Sequence, residues 1–112
     1  MIKRVAKSVS FAWRGIKLVF KTEKSFRLEA LIGLLVVVAA WYRGVEEVYW
    51  IMLLLVIAFV LALEIFNSAI ERLVDMLAPK THSFAKEIKD LLAGMVLLVS
   101  LFAAAIGVII FL

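Results

Sequence analysis

The last 22 residues of the chain, Leu91–Leu112, carry no charged side chain. Such a run is long enough to cross about 30 Å of hydrocarbon as a helix. A bilayer admits only helices and closed barrels, because every backbone polar group must be satisfied internally. Two further charge-free stretches, Ala30–Tyr42 and Val48–Leu63, extend the same constraint toward the N-terminus. With 66% hydrophobic residues in 112, a soluble domain of this size could not hide its apolar surface. The expected fold is therefore an all-α membrane protein, a single domain over residues 1–112 with no separate soluble module. Cysteine is absent, which excludes disulfides, thiolate catalysis and cysteine metal sites.

Charge is concentrated at the N-terminus. Eight of the thirteen Lys and Arg residues lie between Lys3 and Arg27, against one acid, Glu23. Beside so oily a chain, this block points to anionic lipid headgroups and not to nucleic acid. Residues 2–22 read as an amphipathic interfacial helix. Ile2, Val5, Ala6, Val9, Trp13, Ile16 and Phe20 share one face, with Lys3, Arg4, Lys7, Arg14, Lys17 and Lys21 around the other sides. Phe11 and Leu18 break the pattern and fall on the polar side. Phe11 is either incidental there or a contact for a flat group such as a nucleobase. No short apolar core with a cleavage site follows the basic start closely, so a removable signal peptide is not expected.

Three membrane helices are expected, at 28–43, 48–78 and 85–112. The first is short and uses Arg27, Trp41, Tyr42 and Arg43 as interfacial anchors. The second spans about 46 Å at 1.5 Å per residue before Pro79 stops it, so its last turns should leave the hydrocarbon. Arg72, Lys80, Lys86 and Lys89 surround the second connection, whereas the opposing turn sets Arg43 against Glu46 and Glu47. The positive-inside rule then puts the N-terminus and the second connection in the cytoplasm and the C-terminus outside.

On the second span, Glu64, Asn67, Ser68, Glu71 and Asp75 share one helix face that begins at or just inside the membrane boundary. A charge deep in a bilayer costs about 2.5–3.5 kcal/mol on insertion scales and usually marks function. A helix leaving the membrane with a solvated face accounts for Asp75 and Glu71, but poorly for Glu64. The third span opens with Lys86, Lys89 and Asp90, then the small residues Ala93 and Gly94. Lys89 and Asp90 either pair with Glu71 and Asp75 across the helix interface or complete a metal and phosphate site. Mg²⁺ takes one or two protein carboxylates and fills its octahedron with phosphate oxygens and water. A lysine can then neutralise charge on the transferring group. Glu64, the deepest acid, suits a general base toward a lipid hydroxyl. No P-loop or Gly-rich kinase loop is present, so a nucleotide site would be of a non-standard type. His82, the sole histidine, reads as a surface loop residue. A non-enzymatic membrane scaffold would need the basic helix and the spans, but not Glu64 and Glu71.

The run EIFNSAIERLVD at Glu64–Asp75 resembles the signature E-x-x-N-[ST]-A-I-E-x-x-x-D of the small prokaryotic diacylglycerol kinase family. Trp13-Arg14-Gly15, Glu23, Phe26-Arg27, His82 and Lys89-Asp90 follow in that family's order and spacing, so the resemblance covers nearly the whole chain. It implies a homotrimeric, three-span kinase of the bacterial cytoplasmic (inner) membrane that phosphorylates a lipid alcohol with MgATP. By resemblance, Glu64 is the catalytic base, assisted by Asn67 and Lys89, and Asp75 is an active-site polar residue. Glu23 and Glu71 match the metal-binding acids of the nucleotide site. Arg4, Phe11, Lys80, Thr81, His82, Lys89 and Asp90 fall where the family contacts ATP, Phe11 through its ring because it lacks a hydroxyl. Trp13, Lys17, Glu29 and Ala93, with Glu64, match the lipid site or its rim. Phe26-Arg27-Leu28-Glu29 and Asn67-Ser68 look like the diacylglycerol branch. Ala85-Lys86, Ala93-Gly94-Met95-Val96 and the ending Ile106–Phe111 look more like the undecaprenol kinase branch. Diacylglycerol is the expected acceptor, with undecaprenol as the alternative.

Overall fold

The computed structural model describes residues 1–78 and 83–112. Among these, the chain forms four helices: α1 (Ile2–Thr22), α2 (Lys24–Arg43), α3 (Glu47–Leu77) and α4 (Ser83–Phe111). The last three are long and apolar enough to cross a membrane. Helix α2 begins at Lys24, ahead of the expected start at 28, so Phe26 and Arg27 ride on it together with Glu29 of the expected span.

A single residue separates α1 from α2. Glu23 is extended, at φ −111° and ψ 107°, yet its N–H still donates to the Val19 carbonyl. Its own carbonyl accepts from the Arg27 N–H at 3.3 Å, so Glu23 closes one helix and opens the next. Neither Gly nor Pro marks this break. The Arg27 guanidinium instead stabilises it, with Nη1 donating to the carbonyls of Phe20 at 2.8 Å and Lys21 at 3.0 Å. Those carbonyls belong to the last turn of α1 and lack helical partners, and a cation suits the negative end of the helix dipole. Phe20 and Phe26 meet edge to face at 6.1 Å, packing the inside of the bend.

The α2–α3 turn has the more familiar chemistry. Gly44 adopts φ 65°, and its N–H reaches the carbonyls of Ala40 and Trp41, a left-handed C-cap that favours glycine. Beneath this turn Ala40, Leu53 and Ile110 are buried, with Val36, Trp50 and Ile106 packed against them. Arg43 donates to the Phe111 carbonyl at 2.8 Å and lies over the Phe111 ring at 5.9 Å, tying α2 to the end of α4. Farther along, α2 and α3 approach closely at Gly33, where a Cβ would meet Ile57 Cγ2 at 3.0 Å. Most large apolar side chains of the spans, such as Leu34, Leu55, Leu97 and Leu101, remain exposed, and the molecule measures only 22 Å in its thinnest direction. Hydrocarbon, not water, suits such a surface.

Candidate active site

Helix α3 carries the polar face. Glu64 and Ser68, one turn apart, are buried at 8% and 6% exposure. Asn67 and Glu71 are half-buried, and Asp75 is exposed. Burial therefore falls along the face from Glu64 toward the end of the helix.

The α1–α2 hinge docks on this face. Ser68 Oγ donates to Glu23 Oε1 at 2.9 Å. Arg72 Nη2 lies 3.8 Å from the same oxygen and donates to Thr22 Oγ1 at 2.6 Å. The Thr22 hydroxyl in turn donates to the Leu18 carbonyl at 2.8 Å. Asn67 Nδ2 donates to Glu71 Oε1 at 3.4 Å. Glu23, Glu29 and Glu71 all lie within electrostatic reach of Glu64. Four carboxylates thus share one end of the bundle.

From α4, Lys89 Nζ donates to Asp75 Oδ1 at 2.6 Å. Asp90 faces Lys86 of its own helix at 3.6 Å, an exposed pair worth little to stability. Cross-helix pairing is therefore realised by Lys89, while Asp90 pairs within α4. Ala93 is exposed one turn beyond Asp90. Arg4, Phe11, Trp13 and Lys17 lie on α1, all exposed, with no hydrogen bond to the acids among the described residues. Phe11 sits between Lys7, whose Nζ is 6.0 Å from the ring, and Arg14, whose Cζ is 5.6 Å from it, so the ring engages cations of its own helix. Trp13, Lys17, Ile16 and Phe20 border a shallow apolar surface. Lys80, Thr81 and His82, like Pro79, lie outside the described residues.

An apolar groove of about 330 Å³ runs between α2, α3 and α4, past Leu53, Val60, Leu61 and Ala104. Glu29 is the charged residue among those that line it. Thr22, Ser68, Arg27 and Arg72 emerge as structural partners of the site to which the sequence reading gave no site role. Ser68 had a signal in its place on the face of Glu64, and Arg27 in the Phe26-Arg27 match.

No three His, Asp or Glu side chains among the described residues come together to hold an ion unaided. Glu23 and Glu71 nevertheless offer hard oxygen donors. Two carboxylates suit a Mg²⁺ ion that brings phosphate oxygens and water as its remaining ligands.

Three membrane-length helices, with acidic side chains gathered toward one end, define an integral membrane protein. The chain belongs to the prokaryotic diacylglycerol kinase family, whose profile, described as prokaryotic diacylglycerol kinase, matches residues 10–111. It is similar to the undecaprenol kinase of Bacillus subtilis, 33% identical over 111 residues, which cover 99% of this chain and 90% of that protein. It is also 35% identical to a diacylglycerol kinase of Synechocystis, over 89% of this chain and 58% of that protein. With the diacylglycerol kinase of Escherichia coli K12 the identity is 32%, over 85% of this chain and 78% of the relative. Family membership makes the protein a lipid kinase of a prokaryotic membrane, a class that transfers a phosphoryl group from ATP.

Proposed function

We propose that the protein transfers the γ-phosphoryl group of MgATP to the hydroxyl of diacylglycerol, giving phosphatidic acid at the cytoplasmic face of a bacterial inner membrane. The observation that carries this reading is the burial of Glu64 at 8% exposure, one turn from the Ser68 hydroxyl that holds Glu23. Glu64 takes the hydroxyl proton. The freed oxygen forms a bond to the γ-phosphorus as the bond to the β,γ-bridging oxygen breaks, and ADP leaves. Lys89 offsets charge on the transferring group, and Asn67 steadies Glu71 through its 3.4 Å contact. Mg²⁺, when bound with ATP, supplies further neutralisation on the phosphates. Glu23 and Glu71 hold that ion. Arg4, Phe11, Lys80, Thr81, His82 and Asp90 contact the nucleotide. Trp13, Lys17, Glu29 and Ala93 border the lipid, with the groove beside Glu29 offering room for an apolar chain.

In this reading α1 lies amphipathically in the interface, its apolar face toward the acyl chains and its cations toward phosphates. The N-terminus is cytoplasmic and the C-terminus outside, as the excess of Lys and Arg around Lys3–Arg27 and Arg72–Lys89 supports. The protein works as a homotrimer, whose contacts between copies cover part of the exposed apolar surface of the thin bundle.

Undecaprenol is the second reading, favoured by the Bacillus subtilis relative, which matches 99% of the chain. Purified protein in mixed micelles with labelled ATP, given both lipids side by side, separates the two. We expect faster labelling of diacylglycerol, slowed at least a hundredfold in Glu64→Gln. Faster labelling of undecaprenol selects the second reading, and full activity in Glu64→Gln overturns the mechanism.

A further inference from the structure

We infer that Arg72 is a positioning residue that stands in for the metal ion while the nucleotide site is empty. The inference rests on the assignment of Glu23 to the metal. Glu64 feels the charge of three other acids, Glu23, Glu29 and Glu71, and Glu23 is held beside it through Ser68, one turn along the same helix. Divalent charge relieves that repulsion when MgATP is bound, and without it the acids need another cation. Lys89 is bonded to Asp75 at 2.6 Å and reaches Glu71 only at longer range. Lys86 faces Asp90. Arg27 is spent on the carbonyls of Phe20 and Lys21. Among the described residues, Arg72 is the cation within ion-pair distance of one of these four acids.

The two distances from Arg72 make the pairing easy to reverse. Its short bond, 2.6 Å, goes to the neutral hydroxyl of Thr22, whereas the carboxylate oxygen of Glu23 is 3.8 Å away. Thr22 therefore anchors the guanidinium, and Glu23 feels its charge through a looser contact. Ser68 holds the carboxylate in direction at 2.9 Å. A metal ion can thus take Glu23 without breaking the Arg72–Thr22 bond, while Arg72, nearly half exposed, remains partly in water. Placing the cation next to the ligand has a cost. Its charge opposes the incoming metal, so the bare protein binds divalent ions weakly and loading is coupled to the phosphates that ATP brings.

Mn²⁺ titration of the nucleotide-free, detergent-solubilised full chain, with free ion followed by electron paramagnetic resonance, tests this directly. Arg72→Gln should bind Mn²⁺ about threefold or more tightly than the unsubstituted protein, since an opposing charge has been removed. Arg72→Lys, which keeps the charge, should stay near the original affinity. In a Glu23→Gln background the gain from Arg72→Gln should vanish. An Arg72→Gln protein no tighter than the original, or an equal gain in Arg72→Lys, overturns the stand-in role. If Glu23→Gln alone leaves Mn²⁺ affinity unchanged, the metal assignment itself fails.

Discussion

Ser68 and Glu23, 45 positions apart in sequence, meet through a 2.9 Å hydrogen bond that joins the α1–α2 hinge to the polar face of α3. A hydroxyl on α3 thereby fixes the direction of a carboxylate whose backbone belongs to another element. Bonds to charged groups contribute about 1.5–3 kcal/mol when buried, and partial exposure of Glu23 reduces this. Ser68→Ala should therefore lower kcat/KM about fivefold and raise the Mg²⁺ concentration needed for half activity. Ser68→Thr keeps the donor and should stay close to the unsubstituted protein. Equal activity in the alanine and threonine variants would leave the bond without a catalytic role.

Glu64→Gln separates chemistry from folding. A general base contributes about 10²–10⁴-fold, so activity should fall at least a hundredfold. Thermal stability in detergent should not fall. A neutral amide has similar shape and escapes the repulsion of Glu23, Glu29 and Glu71. Comparing initial rates with the melting temperature of the same preparation checks both halves. A variant that loses activity only because it unfolds contradicts the assignment.

Lys89 should report on the nucleotide. Lys89→Met removes the 2.6 Å bond to Asp75 and the positive charge together. The KM for ATP should rise about tenfold, with a smaller change in the KM for lipid. Steady-state kinetics with each substrate varied in turn decides the matter. A selective rise in the lipid KM would move Lys89 to the other substrate.

Gly33 tests packing away from the acids. In Gly33→Ala the new methyl would sit 3.0 Å from Ile57 Cγ2, closer than ordinary van der Waals contact. We expect about 1 kcal/mol of destabilisation by unfolding in mixed micelles. Ile57→Ala in the same chain removes the opposing methyl and should make the double variant less destabilised than the sum of the singles. Simple additivity would show that the two residues do not touch in the folded protein.

The spans were legible because hydrocarbon imposes a strong and local rule on composition, which Val48–Leu63 and Leu91–Leu112 satisfy without exception. The shared face of Glu64 and Ser68 was legible from helical spacing alone. The hinge was not. Thr22-Glu23-Lys24 contains no Gly or Pro, and the break depends on an Arg27 side chain reaching back to α1 carbonyls. No residue pattern announces that reach. For the same reason Arg72 read as one more cation marking topology. Its role depends on Thr22 and Glu23 arriving from fifty positions away. Phe11 reads as either incidental or a contact for a flat group, and the cations that stand beside its ring, Lys7 and Arg14, come from its own helix.

The bend between α1 and α2 is carried by the φ and ψ of Glu23, and that residue also presents a carboxylate to the acid cluster. Backbone direction and the placement of this carboxylate are therefore coupled through a single residue. Tilting α1 against α2 swings an oxygen toward or away from the acids on α3. Any force the surroundings exert on the first helix is thus felt at the polar face of α3 as a change in distance.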